Sequence, residues 1–216
     1  MPALITWWTR DIAELSPHAD PAAVTATGAD LLRRWTEPQR RYHSTRHLVE
    51  LFWSLEELED AGQASASEGT IGRVAAWLHD AVYDPRARHG ANEAASARLA
   101  ATLLGRVAVP TEVVASVEAI VRMTDGHDGD DGAPLTRAFH DCDLWILSAP
   151  EARFDEYCVQ VREEYAHVPE DTYRTARSEI LAGFARRDGL YLTAYGRREW
   201  DEPARANLRR ELDRLA

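Results

Sequence analysis

From His47 onward the apolar positions Leu48, Leu51, Phe52, Leu55 and Leu58 recur at the three- and four-residue steps of one helical face. That spacing predicts an α-helix with a core-facing stripe, and Ser44 or Thr45 is placed to cap its start. Val74, Leu78 and Val82, with Ala75 beside them, line one face of a second predicted helix. An Ala- and Leu-rich stretch from about Asn92 to Val107 predicts a third. Pro110-Thr111-Glu112 opens a fourth, carrying Val113, Val114, Val117, Ile120 and Val121 and stopping near Gly126. Asp125 to Gly132 then read as an acidic, glycine-rich loop. Further helices are expected from about Thr136 to Ser148, from starts marked by Pro150 and Pro169, and from about Glu202 to the end. No stretch alternates with the period of a strand, no repeat stands out, and no linker is long enough to separate domains. The expectation is one all-α domain over residues 1–216, an irregular helical bundle with moderately short connections.

Composition narrows the setting. Of 216 residues, 45% are hydrophobic and 28% charged, enough apolar mass for a real core. No apolar run approaches the roughly 20 residues that span a bilayer. The start, Met1-Pro-Ala-Leu-Ile-Thr-Trp-Trp-Thr-Arg-Asp-Ile, lacks the basic region of a signal peptide and is broken by Arg10 and Asp11. The two cysteines, Cys142 and Cys158, form no CxxC and no disulfide framework, which suits a reducing cytoplasm. A net charge of −11 argues against duplex nucleic acid as a partner, because that requires a basic footprint. A small phosphorylated substrate stays compatible with it, since a few arginines or a metal offset the overall field locally.

Three segments carry candidate chemistry: Tyr42-His43-Ser44-Thr45-Arg46-His47, His79-Asp80 and Asp141-Cys142-Asp143. His43 and His47, four apart, would share a helix face. His79 follows Ala-Ala-Trp-Leu, an apolar approach that buries an imidazole and demands a polar partner. Asp143 stands among bulky apolar residues and needs a ligand, an ion pair or an exit to water. Mixed imidazole and carboxylate donors suit a divalent ion such as Mn, Fe, Ni, Co or Zn, with Mg also among the candidates. Adjacent helical residues point about 100° apart, so His79 and Asp80 meet at one ion only if it lies at the helix edge.

The order His, His-Asp, Asp, each on its own helix, resembles the HD-domain superfamily of metal-dependent phosphohydrolases, and more closely the small bacterial proteins described as predicted members of it. The matching runs are Glu37-Pro38 with Tyr42 to Leu51, Ala76 to Asp84, Asn92-Glu93 with Ser96-Ala97, Asp141 to Leu147, Glu164-Tyr165-Ala166, and Ala204 to Leu208. The resemblance implies an HD-type helical fold and a divalent ion on His47, His79, Asp80 and Asp143, with Asp141 the alternative last ligand. It implies hydrolysis of a small phosphoester or nucleotide by metal-activated water. His43 would be the general acid and Asp80 a ligand that also takes part in catalysis. The glycine and lysine that follow His-Asp in many signalling members are replaced by Ala81-Val82-Tyr83, so the substrate does not follow from the family.

Around that core, Asn92 and Glu93 are candidate substrate contacts, or else only cap and polarise a helix start. His127 is a candidate phosphate contact or second-metal ligand, or else an exposed loop histidine, and Arg46, with Arg40 and Arg41, a candidate phosphate partner or a surface ion pair. Two other readings of the whole chain stand beside hydrolysis. One is a di-iron oxygenase of the same fold type, drawing extra ligands from His89 and His127. The other is a metal-stabilised module that binds a nucleotide or partner without turnover. Assembly is open between a monomer and a homodimer.

Overall fold

A computed structural model describes residues 2–127, 130 and 132–216, and Asp128, Gly129 and Asp131 of the acidic loop lie outside them. The described chain is all-α. Its helices are α1 (Pro2–Leu15), α2 (Pro21–Trp35), α3 (Thr45–Asp60), α4 (Ala66–His79), α5 (Ala91–Arg106), α6 (Thr111–Met123), α7 (Pro134–Asp143), α8 (Glu151–Glu164), α9 (Glu170–Ala185), α10 (Ala194–Glu199) and α11 (Asp201–Leu215). A 3-10 turn at Trp145–Ser148 follows α7. No described helix is long and apolar enough to cross a membrane.

α4 is the axis of the bundle. Every residue from Gly69 to His79 except Ile71 is buried, and α1, α3, α5, α6 and α7 all pack on it. Small residues allow this crowding: a Cβ on Gly72 would stand 3.2 Å from the Leu55 side chain and 3.4 Å from that of Leu135. A capping box between Ser65 and Glu68 satisfies the helix start. Around α4, one continuous apolar cluster runs from Trp8 and Ile12 through the Leu48–Leu58 stripe to Leu208.

The α3 stripe stands as predicted, with Ser44 as the N-cap accepting from the Arg46 amide. α5, α6, α8, α9 and α11 begin within a residue or two of their expected starts. Two expectations fail. The second helix stops at His79, so Val82 lies beyond it, half-buried. There Arg40 donates to the Asp80 carbonyl (2.9 Å), and Ser96 takes both backbone groups of Val82. The helix expected over 136–148 breaks after Asp143. Tyr191 donates its hydroxyl to the Leu144 carbonyl (3.1 Å), the acceptor an unbroken helix would offer to residue 148. Asn207 then pins the 3-10 turn by donating to the carbonyls of Leu147 and Ala149. Both breaks matter, because each sets a carboxylate at a helix end beside the same cavity.

Candidate metal centre

His47 sits in the first turn of α3, His79 is the last residue of α4, Asp80 is its C-cap and Asp143 ends α7. Their donor atoms converge. His47 Nε2 lies 3.3 Å from His79 Nε2 and 3.2 Å from Asp143 Oδ1. His79 Nε2 lies 3.1 Å from Asp80 Oδ2 and 3.4 Å from Asp143 Oδ1, and His47 Nε2 to Asp80 Oδ2 is 3.9 Å. The 100° offset between His79 and Asp80 is resolved by the chain: Asp80 has left the helix, with ψ at 21°, and its carboxylate turns back over the helix end.

The donor set fits a divalent cation. Ligand bonds of about 2.0–2.2 Å place neighbouring donor atoms about 3.0–3.5 Å apart, and four of the five distances here fall in that range, His47 to Asp80 being longer at 3.9 Å. Each imidazole also has its far nitrogen engaged, His79 Nδ1 with the Ala76 carbonyl (2.9 Å) and His47 Nδ1 with the Tyr42 hydroxyl (3.1 Å). Those contacts fix the ring orientations and leave both Nε2 atoms facing the centre, as outer partners of metal-ligating histidines do. Trp35 and Phe139 wall the His79 ring, so water does not screen the cluster from that side. Burial works against charge here, yet His79 is held well above the ordinary histidine value because Asp80 and Asp143 face it. The same pairing, against burial, holds both carboxylates below theirs. His47, His79 and Asp80, with ligand atoms all near one another, could hold a cation here.

Asp141 and Asp143 part company. Asp141 accepts from the amides of Leu192 (2.7 Å) and Thr193 (2.8 Å), from the Thr193 hydroxyl (2.7 Å) and from His140 Nδ1 (2.9 Å). It joins α7 to the segment before α10 and faces away from the cluster. His127 instead approaches it, with Nε2 3.3 Å from Asp143 Oδ2, on a backbone held in the left-handed region at φ 53°.

His43 is not on α3; it precedes the Ser44 cap, so the shared helix face expected for it and His47 does not exist. It reaches the site another way. Its Nδ1 lies 2.6 Å from Glu164 Oε2, and its ring stacks on Tyr83 at 4.2 Å between centroids. Glu164, the last residue of α8, also accepts from the amides of Arg41 (2.7 Å), Tyr42 (2.9 Å) and His43 (3.0 Å), and from the Tyr83 hydroxyl (2.7 Å). This fully buried carboxylate organises the whole 41–43 turn. Burial opposes a charged imidazole, but Glu164 and Asp80 outweigh it and raise His43 above its usual value. Glu164 itself is lowered to about 2, the His43 charge and five hydrogen bonds overcoming burial. Arg40 completes the hinge, donating to the carbonyls of His43 and Asp80 between the rings of Trp35 and Tyr83.

Three connected cavities meet at His43. The inner one, about 190 Å³, is lined by His47, Asp80, Asp143, Glu93 and His127. An outer one of about 620 Å³ opens between α5 and α9, and a third of about 360 Å³ lies between α8 and α9. Glu93 faces both of the first two, its carboxyl raised by burial and by the charge of Asp80. Asn92 borders only the outer cavity, where its amide group pairs with both backbone groups of Asp84 (3.1 and 3.0 Å). It is not the helix cap; Gly90, at φ 73°, occupies that position. Arg46 lines none of the three and pairs with Glu50 (3.1 Å) and Glu156 (2.6 Å). His89 is an exposed imidazole 3.1 Å from Asp125.

Comparison with family models, with curated proteins and with solved structures found no significant match to this chain.

Proposed function

We propose that this protein is a metal-dependent phosphohydrolase of the HD type, acting on a small phosphoester. One observation carries the reading: donor atoms of His47, His79, Asp80 and Asp143 converge beside a cavity that also meets the His43 imidazole, whose Nδ1 is held by the buried Glu164. The centre holds its cation through His47, His79, Asp80 and Asp143. When bound, the ion supplies Lewis acidity, polarising a phosphoryl oxygen and making water a usable nucleophile near neutral pH.

The chain's own residues supply the proton chemistry. Glu164 holds His43 Nδ1, so Nε2 is the nitrogen left to face the cavity. As the phosphorus–oxygen bond breaks, His43 gives its Nε2 proton to the departing oxygen, and Glu164 stabilises the charged ring up to that point. Asp80 Oδ2 faces the histidines, which leaves Oδ1 to accept a proton from the attacking water. Tyr42 and Arg40 keep His47, His43 and Asp80 in register.

The test is metal analysis of the purified protein followed by a panel of phosphomonoesters and nucleotides with each divalent metal. The expected result is retained metal and turnover of at least one substrate, both lost in His79→Ala. Full metal content and full activity in that variant would remove the reading. Two irons per chain with dioxygen consumption would replace it with oxidative chemistry.

A further inference from the structure

The cavity between α8 and α9 differs in character from the two polar ones it adjoins. Its walls are the rings of Tyr42, Tyr157, Tyr165 and Tyr173, with Val161 and Ile180. It opens onto His43, the residue that on the reading above protonates the leaving oxygen. Deep in it lies Arg177, whose position is unusual. The residue is nine-tenths buried, yet among the described residues no carboxylate pairs with it, and its Nε and Nη2 lack a well-formed hydrogen bond, the Tyr157 side chain being the polar group beside them. The guanidinium rests 5.0 Å from the centroid of the Tyr157 ring. Buried arginine donors are normally satisfied, and a native exception asks for an explanation. Nε and Nη2 share one edge of the guanidinium, with parallel N–H bonds, the fork that grips two neighbouring acceptors at once. At the mouth, Ile180 leaves a large apolar side chain more than half exposed, at 53%. Tyrosine faces, an apolar rim and an unanswered two-pronged donor describe one kind of occupant.

We infer that this pocket binds a planar aromatic or heteroaromatic group whose edge carries two adjacent acceptors, placed as the organic part of the substrate beside His43. The inference rests on the phosphohydrolase reading for its placement, but not for the binding itself. Two sources share the chemistry: a purine with a carbonyl beside a ring nitrogen, as in guanine, or an aryl carboxylate. The ring packs against the tyrosines, and the Tyr157 ring that covers the guanidinium moves aside as the acceptors meet it.

The experiment uses guanosine and benzoate as probes, because neither carries a phosphate. Binding is followed by calorimetry and by tyrosine fluorescence, on the intact protein and on Arg177→Met, Ala176→Phe and His79→Ala. Ala176 is an exposed residue of the pocket wall, so a phenylalanine there narrows the entrance without touching the core. The expected result is that at least one probe binds and is weakened about tenfold or more by Arg177→Met and by Ala176→Phe, while His79→Ala retains it. Guanosine alone identifies a nucleobase, and benzoate alone an aryl acid. Failure of both probes at about 10 mM overturns the inference. So does binding that both substitutions leave unchanged. If Arg177→Met melts below the working temperature, Ala176→Phe decides alone. Probe binding without turnover of any phosphoester would sink the proposed function and leave the pocket standing.

Discussion

Asp141 and Asp143 stand two residues apart on the same helix end, the first fully buried and the second at the wall of the inner cavity, and they meet opposite surroundings. Asp141 is answered entirely by the chain: two backbone amides, a hydroxyl and an imidazole close on it within 2.9 Å. Asp143 meets the imidazole nitrogens of His47, His79 and His127, of which His47 and His79 have their outer nitrogens engaged elsewhere. The first is a structural carboxylate whose charge folding has already compensated. The second, on the proposed reading, is a carboxylate left open for a cation. The difference teaches how to tell them apart: residue type and helix position are shared, and the origin of the donors separates them.

Substitution at the two positions should therefore split stability from metal. Asp143→Asn is expected to lose bound metal and lower phosphoester turnover by about 10²–10³-fold or more. A chelator should lower the melting temperature of the parent protein by about 5–15 °C and leave that of Asp143→Asn unmoved. Asp141→Asn is expected to keep its metal in the folded protein while losing about 2–4 kcal/mol in denaturant unfolding, since its amide nitrogen would face donors. Metal content that follows Asp141 instead of Asp143 would invert the assignment.

Glu164 belongs with Asp141 by its hydrogen bonds and with Asp143 by its place at the cavity, so it sharpens the comparison. The groups facing His43 are Glu164 from α8, Asp80 and Tyr83 from the turn after α4, and Arg40 and Tyr42 beside it. Because its value is raised, the acid form of His43 persists into higher pH, and a rate that needs it falls as pH rises through that value. Glu164→Gln removes the largest favourable charge, so the alkaline limb should move to lower pH. Turnover of alkyl phosphates should drop about 10²-fold, while 4-nitrophenyl phosphate, whose leaving group needs no proton, should change only about threefold. An equal loss on both substrates would make Glu164 merely structural. The sign for stability is opposite: Glu164 stands at about 2 against an ordinary 4.5, so its contribution is complete above 4.5 and lost as pH falls through 2.

Much of this was readable from the chain. The Leu48–Leu58 stripe, the Ser44 cap and the helix starts after Pro110, Pro150 and Pro169 are local signals, and they hold. The His47, His79, Asp80 and Asp143 set was legible as an ordered pattern, and the structure brings its donor atoms together. What was not legible depends on distant contacts. Glu164 stood in one of the runs that carry the family resemblance, but its pairing with His43, 121 residues away, had no local signal. The break after Asp143 needs Tyr191 and Asn207, and the separation of Asp141 from Asp143 needs Leu192 and Thr193. α1 and α2 carry Trp8, Ile12, Leu31 and Trp35 into the core, but their starts at Pro2 and Pro21 were not among the helix starts read from the sequence.

Arg46 gives the smallest expected effect and tests where the positive charge for a phosphate comes from. On sequence it was a candidate phosphate partner, one residue from a candidate metal ligand. In the structure it is half exposed, outside the cavities, and shares Glu50 with the buried Arg153. Arg46→Gln should cost about 0.5–1 kcal/mol of stability at most and leave kcat/KM within about twofold. A KM raised about tenfold at constant kcat would instead put Arg46 on the substrate. The small effect is the more telling outcome. On the proposed reading, a chain of net charge −11 must concentrate its attraction for an anion somewhere. Arg46 is turned to the surface and Arg40 is spent on backbone carbonyls, while Arg88 and Arg187 line only the outer cavity, so in the inner cavity the proposed cation and His43 would carry that attraction. Phosphate affinity should then vanish with the metal and survive the loss of Arg46.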